Sequence, residues 1–527
     1  MMLNETHPVR RFFGFLSLSI LFLSCLPSCL HKDRYTYQKI KQEVEKPGVT
    51  TGLPQPVRTC PLPPPEEVLR AAGKLTLKDT IRIALQNNPD LDMALARIQQ
   101  SEAMLDEAMS AFWPVISVYG EYVQGNAPSA YLFKAIDQRK LPANTDFNYP
   151  GWFENYELGV KGRLNLFNGG RDYLGKRMAE TGLEISRLDR DSMENALVTS
   201  VIHAYYSALA AQKYVEIARS SVDTVQHELD LVKVRYHAGG ALKSDVLSLE
   251  VALAQSREDL IRAQNNKCLS ISSLANLMGL DPDVPIALAE DQDVPVKVPE
   301  AYEDALVAAL AQRPELQKIR LQVVQSRMGV DMARSRFLPS LDAQARTYVD
   351  DPGFSFDWDR RNWTAGIILN WDVFTGFQRT SRVDKSRAVL EEMLAADRKT
   401  TLGIQLEVKS AFLRHAEAKA RWEVTEASVA QAEESLRLVQ KQYEGGSATI
   451  TRYLEAELAW NRTLLRATTA FHDRQKTAAA IGRAIGYWAV YGAGSEEQGG
   501  GSRGEGAKSK EQGVDRDNQQ RVTGNEE

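Results

Sequence analysis

The stretch from Leu197 to Tyr236, "LVTSVIHAYYSALAAQKYVEIARSSVDTVQHELDLVKVRY", decides the fold of this chain. Apolar residues recur in it at alternating steps of four and three, and no glycine or proline interrupts them. The recurring positions are Leu197, Val201, Ala204, Ala208, Ala211, Val215, Ala218, Val222, Val225, Leu229 and Val232. Because a spacing of 3.5 residues keeps one apolar stripe on a supercoiled helix, the pattern predicts a left-handed coiled-coil seam. We expect a helix from about Arg171 to Tyr236, which is about 100 Å at 1.5 Å per residue.

The same seam returns 207 residues later (443 minus 236), between Ile404 and Tyr443. Its positions are Ile404, Val408, Ala411, His415, Ala418, Trp422, Thr425, Val429, Ala432, Leu436 and Val439. Only His415 and Thr425 depart from the apolar pattern. No metal-ligating residue type lies four positions from His415, so we expect a hydrogen-bonded histidine of the seam rather than a metal ligand. The second long helix is expected from about Arg379 to Tyr443.

The chain is a tandem duplication. The segment that ends at Pro114 aligns without gaps with the segment that ends at Pro339, an offset of 225 residues (339 minus 114). Since later matches are 207 residues apart, the first copy carries 18 extra residues (225 minus 207) between Pro114 and Phe167. Each copy predicts a helix, two strands, a long helix, a glycine turn and a return helix. The first helices are expected from Leu77 to Phe112 and from Tyr302 to Phe337.

Two segments have a clear strand pattern. In "YELGVKGRLNLF" (Tyr156 to Phe167) and "WTAGIILNWDVF" (Trp363 to Phe374), apolar and polar residues alternate. Alternation over about ten residues is typical of transmembrane barrel strands, although a half-buried strand of a soluble sheet gives the same pattern. Aromatic residues near the strand starts resemble an interfacial girdle and favour the membrane. They are Tyr149, Trp152, Phe153 and Tyr156 in the first copy, and Phe354, Phe356, Trp358 and Trp363 in the second.

Four strands per chain require an oligomer, because four strands cannot close a barrel and an open sheet edge is not stable in lipid. A dimer would supply eight strands and a trimer twelve. An eight-stranded barrel is filled by its own side chains, so a channel favours the trimer. Between the strands, the segments Gly125 to Pro150 and Asp350 to Arg361 are expected to be exposed loops.

The N-terminus has the features of an export signal. Two arginines precede an apolar run from Phe12 to Leu23, as in a secretory signal peptide. The following "LPSC" resembles a lipoprotein cleavage box, so Cys29 is the expected lipidation site and Cys25 the alternative. An ordinary cleaved signal with incidental cysteines is the competing interpretation. Cys60 and Cys268 could form one disulfide, but nothing in the sequence specifies it.

Composition and motifs exclude several classes of function. The formal net charge of -5 argues against a nucleic-acid partner. The sequence contains no phosphate-binding loop, His-Glu-x-x-His, Cys-x-x-Cys or nucleophile elbow, so no enzyme, cofactor or metal site is expected. The expected divisions are a signal peptide (1–28), a lipid-anchored extended strap (29–74), the first repeat (75–280), an equatorial linker (281–300), the second repeat (301–487) and a disordered tail (488–527).

The duplicated unit resembles the TolC-type outer-membrane factors of bacterial efflux and type I secretion. The resemblance covers about Leu75 to Tyr487 and rests on "ALQNNPDL" and "ALAQRPEL", "LFNGGR" and "VFTGFQR", and the turns "RYHAGGALKSDVLSLE" and "QYEGGSATITRYLEAE". It implies a mainly α-helical fold with a transmembrane β-barrel. In a homotrimer, the four strands per chain would complete a 12-stranded barrel, and the long coiled-coil helices would form a periplasmic α-barrel. The implied location is the outer membrane of a Gram-negative bacterium, with a lipid anchor.

The resemblance also implies roles for the two glycine turns, which would lie at the periplasmic tip and contact an adaptor protein. The implied contact residues are Tyr236, Gly239, Gly240, Ser244, Asp245, Tyr443, Gly445, Gly446, Thr449 and Thr451. The gate candidates are Asp245, Arg452, Glu455 and Glu457. The family often has an acid where Arg452 stands and an arginine near Ala448, so these candidates depart from the family pattern. Both Gly239 and Gly240 are expected to supply a positive φ.

The expected function is the exit duct of a tripartite efflux system for small molecules such as drugs, toxic compounds or metals. Besides the adaptor, its partner would be an inner-membrane transporter, either proton-driven or of the ABC type, and the duct itself would do no chemistry. A type I secretion duct for polypeptides is one alternative. A periplasmic coiled-coil scaffold without a pore is an alternative of another class.

Overall fold

The computed structural model describes residues 73–290, 294, 299 and 301–488. All of them belong to the unit Cys60–Glu527. The expected signal peptide and both candidate lipidation cysteines lie outside the described residues, as do most of the strap and nearly all of the tail. Cys268 is disulfide-bonded, and Cys60, the partner considered from the sequence, lies outside the described residues.

Each copy begins with two helices where the sequence predicted one. In the first copy these are α1 (Leu77–Asn87) and α2 (Pro89–Ser110). The break falls at Asn88, whose side chain accepts a hydrogen bond from the Asp90 amide at 2.9 Å. A proline at the first helical position needs no amide donor, and the residue before it is pushed out of helical geometry. The single helix predicted from Leu77 to Phe112 was therefore wrong at this junction.

The second copy has the same break. Its helices are α6 (Tyr302–Gln312) and α7 (Pro314–Ser335), separated by the extended residue Arg313. The buried Arg313 side chain pairs with Glu315 at 3.1 Å and with Glu407 of the second long helix. Hydrogen bonds and the charges of these carboxylates raise the pKa of Arg313 although burial opposes them. Arg313, at the break between α6 and α7, thus links these two helices to the second long helix through its ion pair with Glu407.

The long helices confirm the predicted seams. They are α4 (Arg171–His237) and α8 (Gln378–Glu444), and each has 67 residues. Every predicted seam position in both helices is buried or half-buried. The return helices are α5 (Lys243–Leu277) and α9 (Ile450–Ile485). His415 donates or accepts a hydrogen bond at 3.0 Å with Thr477 of α9, which agrees with a histidine of the seam.

The strands of both copies form one antiparallel sheet in the order β1-β2-β3-β4. The strands are β1 (Val115–Gly125), β2 (Phe153–Phe167), β3 (Ser340–Asp351) and β4 (Arg361–Asn370). The pattern that predicted a strand to Phe374 overshoots, since β4 ends before Trp371. Within the described residues, β1 and β4 each pair on one side only. The sheet therefore has two open edges.

A core near the middle of α4 joins the two copies. Tyr205 and Tyr206 are fully buried there, and the Tyr205 hydroxyl donates to the Ala289 carbonyl at 2.8 Å. Leu75 forms a parallel bridge with Leu288 of the predicted equatorial linker. The described segment 281–290 therefore packs near mid-length of α4. In the described part of the chain, no helix combines the length and apolar character needed to cross a membrane.

Candidate functional site

The sheet has one apolar and one polar face, and the register assigns residues to each. Val118, Val160, Thr347 and Trp363 form one row across the four strands. The neighbouring row on the other face contains Ser117, Lys161, Arg346 and Thr364. Large apolar side chains on the first face are exposed, among them Trp363 at 75% and Ile367 at 66%. An exposed apolar face, an opposite polar face and two unpaired edges are what a segment of a transmembrane barrel requires.

Three cations lie in the middle of the polar face. Lys161 is opposite Arg346 in the register, and Arg163 is two residues further along β2. They line a cleft of about 590 Å³ on the sheet. Arg346 lies 3.6 Å from the Glu157 carboxylate, whereas Lys161 and Arg163 have no ion-pair partner within the described residues. This band gives the polar face a local positive potential.

A short helix covers the polar face at the strand ends distant from the long helices. It is α3 (Pro128–Asp137), and it lies in the segment Gly125 to Pro150 that was expected to be an exposed loop. Ala135 and Gln138 are buried, so that expectation was wrong for this part of the segment. This helix was not predicted, because α3 has only ten residues and packs on a strand from the other copy.

The tips of the two helical hairpins have the same backbone. Gly239 has a φ of +80° and Gly446 a φ of +75°. In the first tip, the Gly240 amide donates to the Arg235 carbonyl at 2.8 Å and the Gly239 amide to Tyr236 at 3.0 Å. This is the Schellman arrangement that ends a helix at a left-handed residue. Only one glycine per tip has a positive φ, so the expected positive φ at Gly240 was wrong.

The two tips pack against each other. A shared apolar cluster contains Val232 and Leu249 of the first hairpin and Val439 and Tyr453 of the second. Of the residues for which the resemblance implied an adaptor contact, Tyr443 packs against this cluster. At this end, Tyr236, Gly239, Gly240, Ser244, Gly445, Gly446, Thr449 and Thr451 are exposed, and Asp245 and Tyr443 are half-buried.

A cation–π contact also joins the tips. The Arg235 guanidinium of the first hairpin lies 5.7 Å from the centre of the Tyr443 ring, and that ring stacks on Tyr453 at 5.6 Å. Burial is the main reason why the pKa of the Tyr443 hydroxyl is raised. Because Arg235 and Tyr443 belong to different hairpins, the sequence pattern did not predict this contact.

The gate candidates fall into two groups. Arg452 and Glu455 are exposed and lie 3.8 Å apart within α9. The half-buried Asp245 accepts a hydrogen bond from the Leu242 amide at 3.2 Å and so caps α5. Glu457, in contrast, is buried and accepts hydrogen bonds from Ser221 at 3.0 Å and Asn461 at 2.8 Å.

The surroundings of Glu457 argue against a lumenal position. Burial raises the pKa of the Glu457 carboxyl, against the hydrogen bonds from Ser221 and Asn461 that lower it. It adjoins a cleft of about 670 Å³ between α4, α5 and α9. The structure therefore places Glu457 between helices and leaves Asp245, Arg452 and Glu455 as the accessible gate candidates.

The faces of the sheet, its open edges and the long helices beneath it define the chain as a subunit of an outer-membrane channel. The model of the family described as "Outer membrane efflux protein" matches residues 80–280 and 305–487, and the chain belongs to this family. The two matched segments correspond to the two copies of the repeat.

Three curated proteins illustrate the similarity. The pyoverdine export outer membrane protein OpmQ of Pseudomonas aeruginosa is 25% identical over 82% of this chain and 88% of its own length. The toluene efflux pump outer membrane protein TtgC of Pseudomonas putida is 24% identical over 72% and 76%. The alkaline protease secretion protein AprF of Pseudomonas aeruginosa is 26% identical over 61% and 67%.

Solved structures show the same fold. The CmeC outer membrane channel of Campylobacter jejuni superposes with a TM-score of 0.69 at 15% identity, over 80% of this chain and 89% of that one. The outer-membrane channel OprN has a TM-score of 0.68 at 19% identity, over 78% and 90%. At these identities the likeness concerns the fold alone.

Proposed function

We propose that this chain is the exit duct of an efflux system in the outer membrane of a Gram-negative bacterium. The observation that carries the proposal is the four-stranded sheet with one apolar face, one polar face and two open edges, which continues into helices of 67 residues. A sheet of this kind is stable in lipid only after its edges pair with further copies. Three copies would supply twelve strands, with the polar faces around a water-filled lumen.

The duct requires further copies of the chain to close its barrel, and partner proteins to supply the energy for transport. We infer a homotrimer, a periplasmic adaptor at the glycine tips and an inner-membrane transporter, proton-driven or alternatively of the ABC type. Small molecules are the proposed cargo, because OpmQ and TtgC are named for pyoverdine export and toluene efflux. Lipidation at Cys29, or at Cys25 in its place, belongs to the same proposal.

A secretion duct for polypeptides is the second candidate. It is favoured by AprF, which is named for alkaline protease secretion and is about as similar in sequence as the efflux proteins. The scaffold without a pore has little support, because an exposed apolar sheet face and membership of an efflux family both favour a channel.

The test compares a deletion strain with the same strain carrying the gene. We expect heat-modifiable trimers in outer-membrane fractions, and higher sensitivity of the deletion strain to at least one toxic small molecule. Unchanged sensitivity together with loss of a secreted polypeptide would favour the secretion duct. Release of monomers or dimers by a salt wash would instead favour the scaffold.

A further inference from the structure

The helix α3 lies on the polar face of the sheet, on the same side as Lys161 and Arg163. Its Lys134 reaches Glu157 of β2 at 2.7 Å and Asp350 of β3 at 2.9 Å. Glu157 and Asp350 are directly opposite each other in the register, and residues opposite in an antiparallel pair share a face. The helix therefore lies on the side that would face the lumen.

Contacts to three strands hold α3 in one position. The Gln138 amide group donates to the Asn155 side chain at 2.8 Å, and Asn155 in turn donates to Asp350 at 2.7 Å. On β4, the Asn362 side chain donates to the Asp137 carbonyl at 3.3 Å. The Asp350 side chain is completely buried and that of Glu157 is 4% exposed. Two buried carboxylates opposite each other repel unless a cation lies between them, and Lys134 supplies that cation.

The other side of α3 is apolar and uncovered. Phe133 is 65% exposed and Ile136 is 42% exposed. On a helix these positions lie away from Lys134 and Gln138, which are four residues apart on the side facing the sheet. In a barrel, the uncovered side would point towards the axis and towards the same helix of the other copies.

We propose that α3 is a size-selecting constriction at the outer mouth of the channel. Three copies of the helix would place Phe133 and Ile136 around the axis, and Lys134 is the residue that positions each copy. A helix with its side chains is about 10 Å across, so three of them occupy much of the lumen that twelve strands enclose. An apolar ring also disfavours water and ions in a narrow opening. The inference rests on the proposed function, because it needs a lumen.

The test probes a lumenal position beneath the helix. Gln344 is exposed on the polar face, so Gln344→Cys places a thiol in the proposed lumen, and Ala345→Cys places one on the opposite face as a matched control. Intact cells are treated with a small membrane-impermeant maleimide, or with a maleimide carried on a polyethylene glycol chain of several kilodaltons. The chain without either substitution gives the background from its own cysteines.

We expect the small reagent to label Gln344→Cys and the large reagent to be excluded. Added Lys134→Met should increase labelling by the large reagent at least tenfold, and Lys134→Arg should keep it excluded because it retains the charge. If trimers of the Lys134→Met variant do not form, replacement of residues 127–140 by a glycine-serine linker of equal length serves instead. Full labelling by the large reagent with Lys134 in place would overturn the constriction.

Two further outcomes separate the constriction from the proposed function. Equal labelling of Gln344→Cys and Ala345→Cys by the small reagent would mean that the polar face lines no lumen, and both proposals would then fail. If the large reagent is still excluded after α3 has been replaced, α3 is not the constriction, and only this inference would fail.

Discussion

At the first hairpin tip, Gly239 has a φ of +80° and Asp245 lies in the first turn of the return helix. At the second tip, Gly446 has a φ of +75°, and Arg452 stands at the position that matches Asp245 (245 plus 207). The backbone of the two tips is the same while the charge at matching positions is reversed. The turn geometry thus follows from the need to end two long helices, whereas the charge at this matching position differs between the copies.

The largest effect should come from replacing the glycine with a positive φ that both tips share. Valine at position 239 or 446 would force a β-branched residue into left-handed geometry, which costs about 1–2 kcal/mol per residue and misaligns the tip. We expect Gly239→Val and Gly446→Val to abolish export and to leave trimers in the outer membrane. Export is measured as drug accumulation in cells, and trimers by heat-modifiable mobility.

The neighbouring glycine provides the matched control. Gly240 does not have a positive φ, and an added Cβ would meet only the Arg235 carbonyl oxygen at 3.6 Å. We expect Gly240→Ala to export normally. Normal export by both valine variants would count against an adaptor contact at this backbone turn.

A second comparison concerns Glu250 and Glu457, which occupy matching positions of the two return helices (250 plus 207). Glu250 is exposed and lies 3.3 Å from Lys233, whereas Glu457 is buried. Since burial raises the pKa of Glu457, its folded-state pKa lies above the unfolded value, and its contribution to stability is lost as the pH rises through the folded pKa. The Glu457 contribution to stability should therefore be regained as the pH falls through its folded-state pKa.

Substitution at the two positions tests this difference. Glu457→Gln keeps an acceptor for Ser221 and Asn461 and removes the charge, so it should raise the melting temperature at neutral pH and remove the gain on acidification. Glu457→Ala should destabilise by about 1–3 kcal/mol, because it removes the acceptor of the Asn461 amide group and leaves Ser221 only its 3.3 Å contact with Ser256. Thermal unfolding of detergent-solubilised trimers measures both effects. A Glu250→Gln variant that responds as strongly as Glu457→Gln would contradict the assignment to burial.

The long helices and Glu457 show which features the sequence could predict and which it could not. The seams of α4 and α8 were predictable, because apolar period is a local property that each helix carries along its own length. The environment of Glu457 was not, because Ser221 lies 236 residues away in the other copy. Lys134 was missed for a similar reason, since its partner Asp350 is 216 residues away. Contacts between copies depend on packing that neither copy encodes alone.

A smaller effect is expected at the contact between the tips. Arg235 lies against the Tyr443 ring, but the position that matches Arg235 in the second copy is Gln442 (235 plus 207), so the contact occurs once per chain. A cation–π contact of this kind contributes about 0.5–1 kcal/mol, and Arg235→Ala should loosen the tips and raise resting conductance a few-fold. Arg437→Ala is the control, because Arg437 pairs with Glu434 of its own helix. Equal conductance of both variants in planar bilayers would exclude a role for Arg235 in closure.

The smallest effect should come from the diverged charges themselves. Three copies of Glu455 near an axis would attract cations, but each lies 3.8 Å from Arg452 and both side chains are well exposed, so the net field is weak. We expect Glu455→Ala to lower the cation preference slightly, and Arg452→Ala to raise it, as a shift of the reversal potential under a salt gradient. Both shifts should shrink at high ionic strength, since exposed charges are screened. An unchanged conductance and cation preference in Glu455→Ala would remove Glu455 from the gate and leave Asp245 as the acidic candidate.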